Sequence, residues 1–318
     1  MYRIGVDLGG TYIKTGITDG DYRLMEDSAV ETDLELGPEA VVRKMASEID
    51  RLIKKCGLEM DQLTGIGVSS PGIIDKDTGT VIYSNNFGWE GFPLRDAIIE
   101  LTGSSVTVKN DALCAVMGEL KAGAAKGLKD VVMLTLGTGV GSGITVDGKV
   151  FEGGGSGGIA GHIIVEKDGR MCSCGRKGCL EAYASATALI AQSVKAMKDH
   201  PDSMIAVLCD NDPAKINGKT PFDAAEAGDM YARAIVEEFM DALANGIADL
   251  INIFRPEVVL LGGGISNQGE KLLSPLNERV KKLCYGGEKV RIPEIKRAIL
   301  GTKAGIIGAA ALTEQEDI

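Results

Sequence analysis

Twice in this chain an apolar strand runs into a glycine-rich turn carrying a threonine and returns as a second strand. The first instance reads "YRIGVDL", "GGT", "YIKTGITD"; the second reads "DVVMLTL", "GTGVGSG", "ITVDGKV". The β-branched, alternating residues on either side of each turn read as β-hairpins over 5–16 and 134–146. The repetition points to two related halves, and 318 residues are enough for each to bury a core of its own. Val41, Val42, Met45, Ile49, Leu52, Ile53 and Cys56 recur at helical spacing behind Pro38, so 38–56 reads as an amphipathic helix. "LTGIGVSS" reads as a further strand, and so does "EVVLL" at 257–261. Helices are expected over 186–198, 229–254 and 270–285, with a polar, proline-punctuated connection over 199–228. Strands alternating with helices make an α/β fold whose sheet is largely buried.

Composition removes several function classes. Hydrophobic residues at 44% and charged residues at 25% exclude a disordered or collagen-like chain. A formal charge of −11 argues against nucleic acid as a partner, because phosphate backbones are gripped by clustered Lys and Arg. No apolar run reaches the roughly 18 residues of a membrane span, and Met1 leads straight into "YRIGVDLGG" without a basic segment or a small-residue cleavage site. A cytoplasmic protein with no membrane partner is expected. The odd total of seven cysteines fits reduced thiols better than a disulfide framework. Cys56, Cys114, Cys209 and Cys284 sit among apolar neighbours and read as buried small hydrophobes.

The other three cysteines crowd beside one of the two histidines, in "GHIIVEKDGRMCSCGRKGCLE". Cys172, Cys174 and Cys179 follow His162 at offsets of 10, 12 and 17, and the glycines of "CSCGRKGC" let the backbone turn sharply enough for the thiolates to converge. Three sulfurs and one imidazole nitrogen complete a tetrahedron, and a closed shell of this kind is a structural Zn²⁺ site rather than a catalytic one. Scattered free thiols are the alternative. With one imidazole nitrogen on the metal the other stays available, and the ring is held rigidly enough to touch a substrate. Glu181, two residues past the last cysteine, is fixed by the same clip.

Glycines placed directly after apolar strands are where phosphates are held. "DLGGT" (Asp7 to Thr11) and "LGTGVGSG" (Leu136 to Gly143) offer unhindered N–H donors and a threonine hydroxyl. "LLGGGIS" (Leu260 to Ser266) would let a flat base or ribose approach the backbone. A single loop of this type is as well explained by a tight turn; three together favour a nucleotide. A Rossmann G-x-G-x-x-G pattern fails at Ser142 and again at Asn267, and a P-loop fails at Pro213. Asp7, at a strand end beside the first turn, is placed either to hold Mg²⁺ through water or to cap the turn. Asn110 and Asp111 in "KNDALCAVMGEL" fall where a strand ends and a helix begins, so Asp111 is either a helix N-cap or a reactive carboxylate.

Together, "DLGGT", "SSPGIID", "NNFGWEGFPL", "NDALCAVMGE", "LGTGVGSGI", "GHIIV", "CSCGRKGCLEAYAS", "LLGGGIS" and "LGTKAGIIGAAAL" resemble the ROK family, and they run over nearly the whole chain. That family holds bacterial sugar kinases, sugar-responsive repressors and uncharacterised open reading frames. The resemblance implies an α/β, two-lobed actin-like ATPase (ribonuclease H-like) fold with a cleft between the lobes. It implies an N-terminal lobe over 1–116 completed by a C-terminal helix at about 303–318, and a larger lobe with the zinc motif over 117–302. It further implies ATP with Mg²⁺, structural Zn²⁺, phosphorylation of a hexose such as glucose at C6, and a homodimer. Position by position, Asp111 resembles the family's catalytic base, and Gly72, Asn110, Asp111, His162 and Glu181 its hexose contacts. Asp7 matches the acid near magnesium; Gly9, Gly10, Thr11, Thr138 and Gly139 match the phosphate loops; Gly263 and Gly264 match the nucleotide loop.

One departure bears on the substrate. Glucokinases of the family carry Gly-Glu-Ile-Gly-His, whereas this chain reads "GGIAGH", with Ile159 in the glutamate's place. Losing a charge-assisted hydrogen bond to substrate costs about 1.5 to 3 kcal/mol. Another hexose, an N-acetylhexosamine such as N-acetylmannosamine, or weakly held glucose is therefore an alternative substrate, and a noncatalytic sugar-binding ROK protein is an alternative function. Retention of Asp7, Asp111 and both threonine turns speaks for catalysis. A ROK repressor would need a helix-turn-helix ahead of its sugar domain, and Asp7 already belongs to the first turn. Tyr12 stands where a lysine after the threonine is common, and Lys14 is assigned no catalytic role.

Overall fold

A computed structural model of the chain describes residues 1–153, 155 and 157–314. Two compact units emerge: Met1–Val131 with Gly143–Gly158 and Ile299–Ile318, and Val132–Ser142 with Ile159–Ala298. β1 (Tyr2–Leu8), β2 (Tyr12–Thr18) and β3 (Leu24–Glu31) form an antiparallel meander, followed by α1 (Pro38–Lys55) and β4 (Leu63–Ser70), which pairs in parallel with β1. A small antiparallel sheet of β5 (Ile73–Ile74), β6 (Val81–Ser84) and β7 (Trp89–Phe92) precedes α2 (Leu94–Thr102), β8 (Val106–Asn110) and α3 (Asp111–Ala122). The main sheet of this unit has the order β3-β2-β1-β4-β8.

A second five-stranded sheet follows, opened by β9 (Val131–Leu136), β10 (Val140–Val146) and β11 (Lys149–Val150). The helices α4 (Glu181–Ala184), α5 (Ala186–Asp199), α6 (Met204–Leu208), α7 (Thr220–Glu226) and α8 (Met230–Phe254) lead to β12 (Val258–Gly262). After α9 (Glu270–Leu283), β13 (Glu294–Arg297) pairs in parallel with β12, and the sheet order is β11-β10-β9-β12-β13. The C-terminal helix expected over about 303–318 is α10 (Ala304–Ala311), and residues 315–318 lie outside the described residues. Among the described residues no helix is long and apolar enough to cross a membrane.

The hairpins and long helices fall where their apolar periodicity places them. The 199–228 connection differs from the expectation, because it holds α6 and α7. Ser203 caps α6, and Ile205, Ala206 and Ala224 join Met197, Ile216 and Ala232 in one buried cluster. Helices of five and seven residues are too short to display a period, so burial against neighbours rather than pattern stabilises them. Cys56, at the end of α1, is only partly buried, while Cys114, Cys209 and Cys284 are buried as expected.

Side chains alternate across a strand, and in the first unit this alternation sorts the central strands into two faces. Ile4, Val6, Ile66 and Val68 join Val41, Met45, Ile49 and Leu52 of α1 and Leu94 and Ile98 of α2 in one core. The opposite face presents Gly5 and Gly67, which are register partners, and Gly16, which pairs with Gly5. Helix α10, "AGIIGAAA", lies directly on this glycine row: a methyl at Gly5 would fall 1.9 Å from the Ile306 carbonyl oxygen, and one at Gly67 would fall 1.6 Å from that of Ala309. Its other side meets α3 as closely, with Gly308 against the Cys114 carbonyl and Gly118 against that of Ala304. Gly67→Ala should destabilise the first unit by about 3 kcal/mol, since the obstacle is backbone that no rotamer can move aside. Denaturant unfolding of the full chain measures it, and a loss under about 0.5 kcal/mol would refute the seating of α10.

Candidate active site

The alternation that seats α10 also builds a polar row one residue pair further along. Lys14, Asp7, Ser69 and Lys109 are successive register partners on β2, β1, β4 and β8. Ser69 donates its hydroxyl to Asp7 Oδ1 at 2.9 Å, and Lys14 Nζ lies 3.3 Å from Oδ2. The carboxyl also rests on the first turn of α10, where a methyl on Gly305 would fall 2.6 Å from its carbon. Asp7 is therefore held in place rather than capping its turn. Lys14 and Ser69 are residues that sequence reasoning passed over. The signal for Lys14 is the length of the turn: with the turn counted as the four residues "GGTY", Lys14 stands as far beyond it as Asp7 stands before it, and an antiparallel hairpin pairs them.

At the end of β8, Asn110 is the N-cap of α3 and Asp111 its first residue, so the cap is Asn110 rather than Asp111. Asn110 Oδ1 accepts the Ala112 N–H at 2.9 Å, and its Nδ2 donates to the Gly72 carbonyl at 3.0 Å. Gly72 has φ +110, and a methyl there would fall 2.5 Å from the Tyr83 carbonyl oxygen, so only glycine lets this turn reach Asn110. Asp111 Oδ1 shares the Ala112 N–H at 2.9 Å, and among the described residues Oδ2 has no partner. Desolvation by the surrounding protein is the main reason the Asp111 carboxyl is pushed up to about 6; the Ala112 N–H works against the rise, and the negative charge of Asp7 adds to it. By its accessible surface the residue is nevertheless exposed to solvent. The first unit thus gathers Asp7, Gly72, Asn110 and Asp111.

The turn between β1 and β2 is closed by Gly9 N–H on the Tyr12 carbonyl at 3.0 Å and braced by Thr32 Oγ1 on the Gly9 carbonyl at 2.7 Å. Gly10 and Thr11 at its tip are exposed, and among the described residues their backbone N–H groups donate to nothing. The turn between β9 and β10 repeats the design in the second unit. Gly137 N–H closes on the Gly139 carbonyl at 3.0 Å, and among the described residues the N–H groups of Thr138 and Gly139 donate to nothing. Two adjacent free N–H donors at a strand end make an anion site. Gly263 packs against the backbone of Leu136, which leads into that turn, so the loop carrying Gly263 and Gly264 lies beside it.

The second unit also assembles the predicted metal ligands. His162 Nδ1 and the sulfurs of Cys172, Cys174 and Cys179 all lie within 4.8 Å of one another. The Cys172–His162 separation is 3.6 Å and the Cys174–Cys179 separation 3.7 Å. Tetrahedral zinc with bonds of about 2.3 Å has sulfur–sulfur edges of about 3.8 Å, whereas a disulfide needs about 2 Å. The donor set is compatible with zinc, with Nδ1 the His162 nitrogen nearest Cys172. Glu181 is more committed than expected: Oε2 accepts the Val140 N–H at 3.0 Å and Oε1 the Ser173 hydroxyl at 3.0 Å. Ile159 is exposed, with its carbonyl accepting the His162 N–H at 3.3 Å.

The ROK family model matches residues 3–316. The chain belongs to the ROK family. It is 39% identical to a glucokinase of Thermotoga maritima over 98% of this chain and 97% of that one. The crystal structure of a ROK family glucokinase from Streptomyces griseus, in complex with glucose and AMPPNP, is 34% identical and matches with a TM-score of 0.82 over 99% of this chain and 100% of that one. A ROK hexokinase from Thermus thermophilus matches with a TM-score of 0.84 at 34% identity, over 98% and 97% of the two chains. The α/β architecture of this ROK protein is accordingly the actin-like ATPase fold.

Replacing Asp7 by asparagine in this ROK protein removes a like charge and should lower the Asp111 pKa from about 6, while leaving it above an unburied carboxyl because enclosure is the larger cause. Carboxyl-carbon NMR titration reads the shift, and an unchanged or higher value would contradict the proximity of the two acids.

Proposed function

We propose that this chain is an ATP-dependent hexose kinase that transfers the γ-phosphoryl group to the C6 hydroxyl of glucose or a related hexose. The observation that carries the reading is the near full-length match, at 34% identity, to a glucokinase solved with glucose and AMPPNP, an ATP analogue. Asp111 is the general base: Oδ2 faces no protein donor and takes the hydroxyl proton as the sugar oxygen bonds to phosphorus. The bond from phosphorus to the β-bridging oxygen breaks in line, and ADP leaves with the electron pair. In a loose transition state positioning and charge neutralisation outweigh base strength, and the N–H pairs at Gly10–Thr11 and Thr138–Gly139 supply donors without reorganisation.

Mg²⁺, when bound with the nucleotide, neutralises phosphate charge. Asp7 would hold it through water, since Lys14 and Ser69 already fix the carboxylate and the Asp7–Asp111 repulsion favours a cation there. The hexose is proposed to be bound by Asn110, Asp111 and the Gly72 turn together with His162 and Glu181, and the nucleotide base by the Gly263–Gly264 loop. Zinc in the cysteine–histidine cluster is structural in this reading, and a homodimer in the cytoplasm remains the proposed state.

Asp111→Asn should lower kcat by roughly 100-fold or more in a coupled ADP-release assay. The ionised base is the working form, so kcat/KM of the parent should fall as pH drops through about 6 and level off above it. Activity near the parent in Asp111→Asn, or a profile flat between pH 5 and 8, would remove the base assignment. The sugar is decided by assaying glucose, mannose, fructose, allose and N-acetylhexosamines. If Ile159 weakens glucose binding, Ile159→Glu should lower the KM for glucose about tenfold; an unchanged or higher KM would mean that position 159 does not meet the sugar.

A further inference from the structure

Glu181 engages two parts of the second unit at once. Its Oε2 accepts the Val140 N–H, the donor next after the free pair at Thr138 and Gly139, and it sits so close to Gly139 that a methyl there would fall 2.2 Å away. Its Oε1 accepts the hydroxyl of Ser173, which stands between the cluster residues Cys172 and Cys174, and Cys172 Sγ lies 3.8 Å from the same oxygen. Beyond its own Gly137–Gly139 closure, the turn is tied to α5 through its carbonyls, by Ala186 N–H on Gly137 at 2.8 Å and Thr187 Oγ1 on Thr138 at 2.7 Å. Those contacts restrain the rear of the turn. The orientation of its N–H side rests on Glu181.

A carboxylate gripped at one oxygen loses its freedom to rotate, so the other oxygen stays on the Val140 N–H, and hydrogen bonds to an ionised acceptor are the stronger kind. We propose that Ser173 and Glu181 form a brace that carries the rigidity of the cysteine–histidine cluster to the nucleotide-side turn. Ser173 is then a positioning residue for phosphate binding, and metal in the cluster governs nucleotide affinity as well as the orientation of His162. The kinetic consequence rests on the kinase reading above; the structural one does not.

Amide hydrogen exchange of Val140 in the full chain tests the brace directly. Ser173→Ala should speed that exchange about five- to tenfold with zinc content unchanged, as expected for one lost restraint on a hydrogen bond, and Ser173→Thr should restore it. Stripping the metal with a chelator should have the same effect on Val140 in the parent protein. In kinetics, Ser173→Ala should raise the KM for ATP about fivefold or more while kcat moves less than twofold, and the sugar KM should rise with it because Glu181 is also a proposed hexose contact. Parent-like exchange at Val140 in Ser173→Ala, or in metal-free protein, overturns the proposal. If no sugar is phosphorylated the kinase reading fails, and the exchange rates still decide the brace by themselves.

Discussion

The seating of α10 on bare backbone is the contact from which the first unit is organised. Gly16, Gly5 and Gly67 form a row across three neighbouring strands, and the carbonyls of Ile306 and Ala309 come closer to that row than any side chain would permit. Because strand side chains alternate, the next row on the same face falls beyond the start of the helix, and that row is Lys14, Asp7 and Ser69. The glycines fix how near the helix lies, and its nearness places Gly305 against the Asp7 carboxyl. On its other side α10 presses on α3 through Gly118 and Gly308, so the helix that begins with Asp111 is set by the same packing. Asp7 and Asp111, the proposed magnesium-side acid and the proposed base, thus share one mechanical reference.

An acidic chain of net charge −11 that handles a triphosphate needs local attraction that its overall field does not provide. Backbone supplies it. Among the described residues both threonine turns leave adjacent N–H groups unpaired; glycine at Gly10 keeps the first turn open, and glycine at Gly139 makes room for the Glu181 carboxylate. In the second unit the donors are aligned by hydrogen bonds that lead back to the cysteine–histidine cluster. Asp111 is handled by the opposite device, since enclosure and the charge of Asp7 keep its proton affinity high enough to accept a proton near neutral pH.

Much of the site is legible in the residues as written, for a reason that differs from place to place. The metal ligands are close in sequence, and glycines force the short segment between them to fold back, so proximity along the chain becomes proximity in space. The two hairpins show themselves because alternation and a glycine turn are local signals. Asn110 is less legible: taken as a sugar contact, it uses Oδ1 on Ala112 and Nδ2 on Gly72, and the second of these partners lies 38 positions away. Glu181 is similar, with one oxygen on a turn 41 residues earlier. The helices α6 and α7 are illegible for a third reason, since each is shorter than two helical periods and is stabilised by the cluster it joins.

What the sequence determined alone was chemistry and local geometry: which residues carry carboxylates, thiols and imidazoles in close spacing, where the chain turns and where a strand ends in glycine. Those properties depend on a few neighbouring residues, so a linear reading contains them. What only the tertiary structure decided was which of the groups is left free to act. Among the described residues Asp111 keeps one oxygen without a partner, Asn110 and Glu181 are oriented by partners on distant segments, and Lys14 becomes the partner of Asp7, because such hydrogen bonds are set by register and packing, and these exist only once the sheet has closed against its helices.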